Sequence, residues 1–290
     1  MAMGRLVEQR RAIAAMGTVL NPQVLEGVRQ LYDEEQQRLA SARPVSVADI
    51  AYGPHERNRL DLYLPAGAQD APVLLFVHGG GFLKGDKGGD ADWPNAHVGR
   101  MAAEAGFVGV VINYRLAPDN VWPAGSEDVG AAVAWLRAHV ADHGGNPDRI
   151  VLAGTSAGSV HVAGYLRLAG EQAARDIRGA VLLSGLYGYT PLDERDTLYY
   201  GEQALYADRM PREAVATTSL PLLVACAEFD PPRFQAEFLG LMQDRLARHG
   251  IMPRGAILSG HNHYSMASHL GTADRRLGDE ICAFVREITQ

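Results

Sequence analysis

The sequence has few cysteines, no long apolar run and no cluster of basic residues. Only Cys226 and Cys282 occur in 290 residues, too few for the disulfide framework of a small secreted domain. No segment approaches the ~20 consecutive apolar residues of a membrane span. A formal net charge of −7 without a Lys/Arg run argues against a nucleic-acid partner. These absences favour a cytoplasmic protein with two buried thiols, no membrane span and no nucleic-acid partner.

Continuous apolar runs recur along the chain from residue 73 onward. They are uninterrupted rather than alternating, as expected for strands buried on both faces, and helical patterns lie between most of them. Two shorter alternating runs, 45–52 and 59–64, precede them and predict an antiparallel pair. The sequence therefore predicts an α/β fold with a mostly parallel central sheet and helices on both faces. The six predicted parallel strands are 73–77, 108–112, 150–153, 180–183, 222–226 and 256–258.

Ligands of such sheets bind beyond the carboxyl ends of the strands, so residues that directly follow the apolar runs carry the most information. Gly154-Thr-Ser-Ala-Gly158 follows the third parallel strand and opens a helical pattern. This context is typical of a nucleophile turn that presents the Ser156 hydroxyl above the sheet. The alternatives are a glycine-rich turn with a capping serine, or a phosphate loop, although the Gly-Lys-Ser/Thr ending of such a loop is absent.

A glycine loop, His78-Gly-Gly-Gly-Phe82, follows the first parallel strand. Three consecutive glycines lose much backbone entropy on folding, which makes sense if backbone N–H groups must approach a ligand closely. We expect the N–H groups of Gly80 and Gly81, with that of Ala157, to form an oxyanion hole; Gly79 is a substitute. His78 is interpreted as an anchor of the loop, and a flexible linker is the alternative for the whole segment.

A serine nucleophile needs a base, and ten histidines compete for that role. Ser259-Gly-His-Asn-His-Tyr264 follows the last predicted strand, and we assign His263 as the base. His261 is interpreted as a loop-ordering or substrate-facing residue; a metal pair is the alternative, but the motif supplies no further ligands. His139 and His143, four residues apart on a predicted helix, are interpreted as surface residues.

The carboxylate that orients the histidine is expected after the preceding strand. Cys226-Ala-Glu-Phe-Asp-Pro-Pro232 offers Glu228 and Asp230 there. We choose Asp230 because the proline turn behind it would hold its side chain at the sheet edge. A solvated loop charge or a helix cap is the alternative for each acid. The order Ser156, Asp230, His263 is that of the α/β hydrolases.

With these motifs, the sequence resembles the hormone-sensitive-lipase-like esterases of the α/β-hydrolase superfamily over roughly residues 45–290. His78-Gly-Gly-Gly81 and Gly154-Thr-Ser-Ala-Gly158 match the family's two signatures, and Asn113-Tyr-Arg-Leu-Ala-Pro118 and Asp230-Pro231 resemble two further stretches. The resemblance implies cofactor-free, metal-free hydrolysis of small carboxylic esters with short or medium acyl chains.

The resemblance also implies the domain organisation. We expect a single α/β-hydrolase domain over residues 1–290, with a helical cap built from residues of about 1–40 and 185–217. The second of these segments interrupts the strand–helix alternation. Phe82, Trp93 and the aromatic residues of Tyr187–Tyr200 are candidates to line the pocket. Edge-strand dimers occur among such esterases, which makes a homodimer an assembly to test.

The sequence departs from the family pattern at several positions. Ser159 replaces a glycine, Phe234 replaces the second aspartate of the acid motif, and the usual His-Gly-Phe is absent. The Gly260-His-Asn-His263 segment is closer to related small esterases and arylformamidase-like members. An arylformamidase or amidase on the same triad, and a noncatalytic small-ligand binding protein, therefore stand as alternatives to a carboxylesterase.

Overall fold

The central feature of the computed structural model, which describes residues 2–191 and 193–290, is one eight-stranded sheet. Its strand order is β1-β2-β4-β3-β5-β6-β7-β8. The strands are β1 (Val47–Ala51), β2 (Arg59–Tyr63), β3 (Ala71–Val77), β4 (Val108–Ile112), β5 (Gly145–Thr155), β6 (Gly179–Leu183), β7 (Leu222–Phe229) and β8 (Arg254–Asn262).

The pairing of the strands confirms the predicted mixture of directions. Strand β2 pairs antiparallel with both β1 and β4, whereas β3 to β8 pair in parallel. Each predicted apolar run lies within one observed strand. The predicted α/β-hydrolase architecture, a mostly parallel sheet with helices around it, is therefore confirmed.

Helices follow the strands at nearly every crossover. Their ends carry residues typical of helix caps. Asn21 caps α2 and Pro22 begins it, and Gly250 in the left-handed conformation ends α10. The helices are α1 (Ala2–Met16), α2 (Pro22–Ala42), α3 (Ala96–Glu104), α4 (Ala124–His139), α5 (Ala157–Ala169), α6 (Ala173–Asp176), α7 (Thr197–Tyr200), α8 (Tyr206–Arg209), α9 (Arg212–Thr217), α10 (Pro232–His249), α11 (Ser265–Ser268) and α12 (Arg276–Ile288).

Both faces of the sheet are covered by apolar cores, which explains why the strand runs are continuous. In β3, Val73, Leu75 and Val77 point to the face covered by α4, α5 and α10. Leu74 and Phe76 point to the opposite face, covered by α3 and α12. Because successive side chains of a strand alternate between faces, burial of both faces requires an apolar residue at every position.

The two cysteines lie in these cores as free, buried thiols. Burial raises the pKa of the Cys226 thiol to about 12, which keeps it protonated near neutral pH. Among the helices that the structure describes, none is long and apolar enough to cross a membrane.

The long connection between β6 and β7 begins with a loop organised by one buried carboxylate. Glu237 of α10 is fully buried. It accepts the backbone N–H groups of Tyr187 (2.6 Å), Gly188 (3.0 Å), Tyr189 (3.1 Å) and Thr190 (2.7 Å). The charge therefore satisfies four consecutive donors at the start of the residue 184–221 insertion, which would otherwise be left without partners.

We predict that Glu237→Gln lowers the free energy of unfolding by about 2–4 kcal/mol, because the amide nitrogen replaces one acceptor oxygen and faces N–H donors. Urea unfolding followed by circular dichroism measures this change. Glu213→Gln is the matched control, since Glu213 pairs with Arg248 on the surface and its loss should change stability by about 0.5 kcal/mol or less. Equal unfolding midpoints for the two variants would contradict the prediction.

Candidate active site

Ser156 lies in a sharp turn between the end of β5 and the start of α5. Its backbone has φ 53° and ψ −123°, a conformation that a non-glycine residue adopts only under strain. The turn is tight: a Cβ at Gly158 would lie 2.0 Å from the Val77 carbonyl oxygen, and one at Gly154 would lie 2.5 Å from Gly158. Only glycine therefore fits on either side of the serine.

A continuous hydrogen-bonded chain joins Ser156, His263 and Asp230. His263 Nε2 lies 2.9 Å from Ser156 Oγ, and His263 Nδ1 lies 2.7 Å from Asp230 Oδ1. An ionised carboxylate only accepts, so Nδ1–H donates to Asp230, and Nε2 is left to accept the serine proton. The three residues are far apart in the sequence, and the carboxyl ends of β5, β7 and β8 bring them together.

Asp230 is fully buried and its second oxygen is also satisfied. Its Oδ2 accepts the Ser184 hydroxyl at 2.6 Å and the Ala227 N–H at 2.7 Å. These two donors fix the carboxylate so that Oδ1 faces the histidine. Sequence analysis missed Ser184, although it directly follows strand β6 and the strand-end rule could have found it.

The glycine loop lies against the serine turn. A Cβ at Gly79 would lie 3.2 Å from the Ser156 Cβ, so the loop approaches the serine closely. Among the described residues, the N–H groups of Gly80 and Gly81 have no hydrogen-bond acceptor. The Ala157 N–H belongs to the first turn of α5, where helical N–H groups have no partner within the helix. Three donors are thus available near the serine.

The residues that follow β4 contact the glycine loop and the residues after it, and so support them. His78 is fully buried and its ring stacks on that of Tyr114, with 4.4 Å between ring centroids. Tyr114 donates its hydroxyl to the His78 carbonyl, and Asn113 accepts the Lys87 N–H at 2.7 Å. Burial lowers the pKa of His78 to about 4, so the ring is neutral near pH 7. His78 contacts the loop backbone through Nδ1, 2.7 Å from the Gly79 carbonyl oxygen.

Two residues that were not chosen, His261 as the base and Glu228 as the orienting carboxylate, contact other partners. His261 Nε2 lies 3.3 Å from Asp274 Oδ2, and its Nδ1 lies 3.1 Å from Ser265 Oγ. Burial lowers the pKa of His261, and the hydrogen bond to Asp274 opposes that effect. Glu228 is exposed and accepts the Gly260 N–H at 2.7 Å. Both side chains order the loop that carries His263.

Asp274 connects this loop to helix α1. It accepts hydrogen bonds from Arg276 (2.8 Å) and from Arg10 of α1 (3.1 Å). Burial alone would raise the pKa of Asp274, but the hydrogen bonds from Arg276, His261 and Arg10 hold it well below its usual range. Helix α2 is also attached: the buried Gln36 side chain donates to the carbonyls of Ser268 (3.0 Å) and Leu270 (2.8 Å).

A cavity of about 580 Å³ opens beside Ser156 and His263. Helix α2 and the chain before it contribute Leu20, Asn21 and Leu25, the glycine loop forms another side, and the β6–β7 insertion contributes Arg195. The cavity thus lies among the sheet edge, the N-terminal helices and the insertion.

The aromatic residues predicted to line the pocket are not among the described residues that line this cavity, so that prediction is wrong. Tyr189 is half-buried against the core that contains α10. Phe82, Tyr199 and Tyr200 pack in an apolar cluster with Ala157 and Val160. Trp93 packs against helices α1 and α2, and Tyr187 lies in the core under the sheet. Aromatic side chains of this size gain more from full burial than from lining a wet cavity. Tyr264, next to His263, lines the cavity instead.

The second histidine pair, His139 and His143, lies at the end of α4 and in the turn after it. Both His139 and His143 pack against the Trp135 ring, with centroids 5.1 Å and 6.1 Å away. In the part of the chain that the structure describes, no three His, Cys, Asp or Glu side chains are grouped to hold a metal ion.

Comparison with known proteins finds similarity to proteins named as esterases. Residues 60–181 match the family model BD-FAE. The chain is 36% identical over 159 residues to "Probable carboxylic ester hydrolase LipM" of Mycobacterium tuberculosis, which covers 50% of this chain and 36% of that protein. It is 32% identical over 212 residues to "Esterase LipQ" of the same organism, covering 63% of this chain and 49% of that protein. The chain therefore spans less than half the length of these curated relatives.

A solved structure described as one of two fungal esterases from Rhizomucor miehei superposes over nearly the whole chain. The TM-score is 0.70 at 23% identity, with 97% of this chain and 96% of the other covered. At this level of identity the similarity establishes the fold.

We predict that the protein loses stability as the pH falls from 6.5 to 5. Burial lowers the pKa of His78 and His97 to about 4, and of His161 and His269 to about 3. In this window the unfolded chain binds protons on these rings while the native state does not, so the free energy of unfolding rises with pH. Urea midpoints measured in steps between pH 7 and pH 5 test this.

His161→Gln provides the control for that experiment. Removing one buried histidine should make the dependence shallower by up to about 1.4 kcal/mol per pH unit, whatever the variant's absolute stability. Midpoints that do not change between pH 7 and pH 5 in the unsubstituted protein are incompatible with neutral buried histidines.

Proposed function

We propose that the chain is a serine carboxylesterase of the α/β-hydrolase superfamily, an assignment that the family-model match over residues 60–181 supports. Its substrates would be small carboxylic esters with short or medium acyl chains, hydrolysed through an acyl-enzyme intermediate. The names of the matched relatives, carboxylic ester hydrolase and esterase, support this reaction class.

The observation that carries the proposal is the hydrogen-bonded chain from Ser156 through His263 to Asp230, with free N–H groups beside the serine. A serine hydroxyl is a weak nucleophile near neutral pH, and a hydrogen bond to an oriented imidazole is what activates it. No such chain is needed to hold a turn together. The geometry therefore supports acyl transfer better than binding alone.

In the proposed acylation step, Ser156 Oγ attacks the ester carbonyl carbon while His263 Nε2 takes the serine proton. The carbonyl oxygen becomes an oxyanion, which the N–H groups of Gly80, Gly81 and Ala157 stabilise; each such donor contributes ~3–4 kcal/mol. Asp230 stabilises the imidazolium. His263 then donates its proton to the leaving alcohol as the C–O bond breaks.

Deacylation repeats the same route with water. His263 accepts a proton from a water molecule, whose oxygen attacks the acyl carbon. The second tetrahedral intermediate uses the same N–H donors, and it collapses as the proton returns to Ser156 Oγ. The carboxylic acid leaves and the free enzyme is restored, so the cycle requires only the ester and water.

The proposal extends to the surroundings of the site. Residues 1–40 and 185–217 would serve as the cap of a single domain, since both border the cavity through Leu20, Leu25 and Arg195. The cytoplasm is the proposed compartment, in keeping with two buried free thiols.

We predict that Ser156→Ala lowers kcat for p-nitrophenyl acetate by about 10⁴-fold or more, because the covalent route is removed. A fluorophosphonate should label the unsubstituted protein at Ser156, as mapped by mass spectrometry, and should leave the variant unlabelled. Ser259→Ala, at an exposed serine on β8, is the control; it should hydrolyse the ester at the normal rate and should be labelled at Ser156. Circular dichroism establishes that each variant is folded.

Near-normal hydrolysis by folded Ser156→Ala would refute the assignment of the nucleophile. Absence of a Ser156 adduct in the unsubstituted protein would instead favour a ligand-binding role. The competing formamidase reaction is separated by substrate: the proposal expects kcat/KM for the aryl ester to exceed that for N-formylkynurenine.

A homodimer is part of the proposal. Strand β8 is an edge of the sheet and exposes Ile257, whose side chain is 61% accessible. We expect sedimentation velocity at micromolar concentration to give the mass of two chains, and Ile257→Lys to shift it toward one chain. A single-chain mass for the unsubstituted protein would contradict this assembly.

A further inference from the structure

The cavity beside Ser156 is positively charged although the whole chain is negative. Arg29 of α2, Lys84 after the glycine loop and Arg195 of the insertion all line it. No Asp or Glu is found among the described residues that line it. The chain as a whole carries 34 acidic and 27 basic residues, so three cations without a carboxylate are a local departure from its composition.

These three cationic side chains take no part in the ion pairs that stabilise the fold. Within the described ranges, the side chains of Arg29, Lys84 and Arg195 make no ion pair and no hydrogen bond, unlike many other arginines of this chain. Two acidic neighbours of Arg195 face other groups: Asp196 pairs with Arg233 at 2.5 Å, and Asp193 lies 3.7 Å from Arg233 and accepts the Arg195 backbone N–H. The third, Glu194, is exposed and is not among the residues that line the cavity. The positive charge of the cavity is therefore available to a ligand.

Arg195 lies beside the glycine loop, which itself lies against Ser156. A Cβ at Gly81 would be 3.0 Å from Arg195 Nη2 and 3.1 Å from its Cζ, so the guanidinium lies against the glycine loop. It also acts on the residue after His263: burial raises the pKa of Tyr264, and the charge of Arg195 opposes that rise. The guanidinium thus lies on the wall of the cavity that the glycine loop and Tyr264 also line.

We propose that the substrate of this site is an ester that carries a second, anionic group, a carboxylate, which Arg195 binds while the ester carbonyl lies at Ser156. This inference rests on the proposed esterase function and specifies its substrate class. The planar guanidinium can bind a carboxylate through two parallel hydrogen bonds. Lys84 and Arg29 add to the positive potential and accelerate the encounter with an anion.

Matched esters test the proposal and identify which side of the ester carries the charge. Monomethyl glutarate and methyl pentanoate share a five-carbon acyl chain, and only the first has a terminal carboxylate. 4-Acetoxybenzoate and its methyl ester differ in charge on the alcohol side. For each pair, the measured quantity is the ratio of kcat/KM for the charged ester to that for the neutral ester, at low ionic strength.

We expect Arg195→Gln to lower this ratio about two- to fivefold for at least one pair, the size of effect for an ion pair made by an exposed arginine. Arg195→Lys should restore part of it, and 0.5 M NaCl should shrink it in the unsubstituted enzyme. Arg149→Gln is the control: it changes the net charge equally but lies near the start of β5, at the opposite end of the strand from Ser156. It should leave the ratio unchanged.

The outcomes separate this inference from the function on which it rests. If the neutral esters are hydrolysed and fluorophosphonate labels Ser156, but Arg195→Gln leaves both ratios unchanged, the substrate class is wrong and the esterase stands. If Arg195→Gln lowers the charged and neutral rates equally, Arg195 supports the glycine loop and does not recognise an anion. If no ester is hydrolysed and Ser156 is not labelled, the proposed function fails and the inference fails with it.

Discussion

The site depends on the strained turn that carries Ser156. The chain leaves β5 and enters α5 within one residue, which forces Ser156 to a positive φ. That turn can form only where Gly158 lies against the Val77 carbonyl and Gly154 lies against Gly158. The strain is maintained by the two apolar cores that fix β5 and α5, and its result is a hydroxyl exposed at the sheet edge where the other strands end.

Around this turn, the structure fixes its polar groups by burying them with partners. Asp230 has two donors besides His263, and the glycine loop is supported by the stacked rings of His78 and Tyr114. Glu237 satisfies four consecutive N–H groups at the start of the insertion. A buried polar group without partners costs about 1–3 kcal/mol, so each of these arrangements has one favoured geometry. The rigidity of the sheet edge follows from hydrogen bonding as much as from apolar packing.

Sequence reasoning was effective where one physical rule governs the outcome. Burial on both faces explains the continuous strand runs, and the strand-end rule led to Ser156, His263 and Asp230, whose roles stay predictions. The rule did not extend to side chains that depend on long-range packing. The burial of Phe82 and Trp93, the partners of Glu237 and the direction of Arg195 all arise in short helices and loops, where no periodicity tells which way a side chain points.

The attachment of the N-terminal helices limits how the cavity can open. Arg10 donates a hydrogen bond to Asp274, and Gln36 donates to two backbone carbonyls that follow His263. Helices α1 and α2 are therefore hydrogen-bonded to the segment that carries the His263 imidazole. Swinging these helices outward would break those bonds and disturb the base itself. The opposite wall is tied through Asp196, next to Arg195, which pairs with Arg233 of α10. Widening the cavity on the side of α1 and α2 and holding the His263 imidazole in place are therefore coupled requirements.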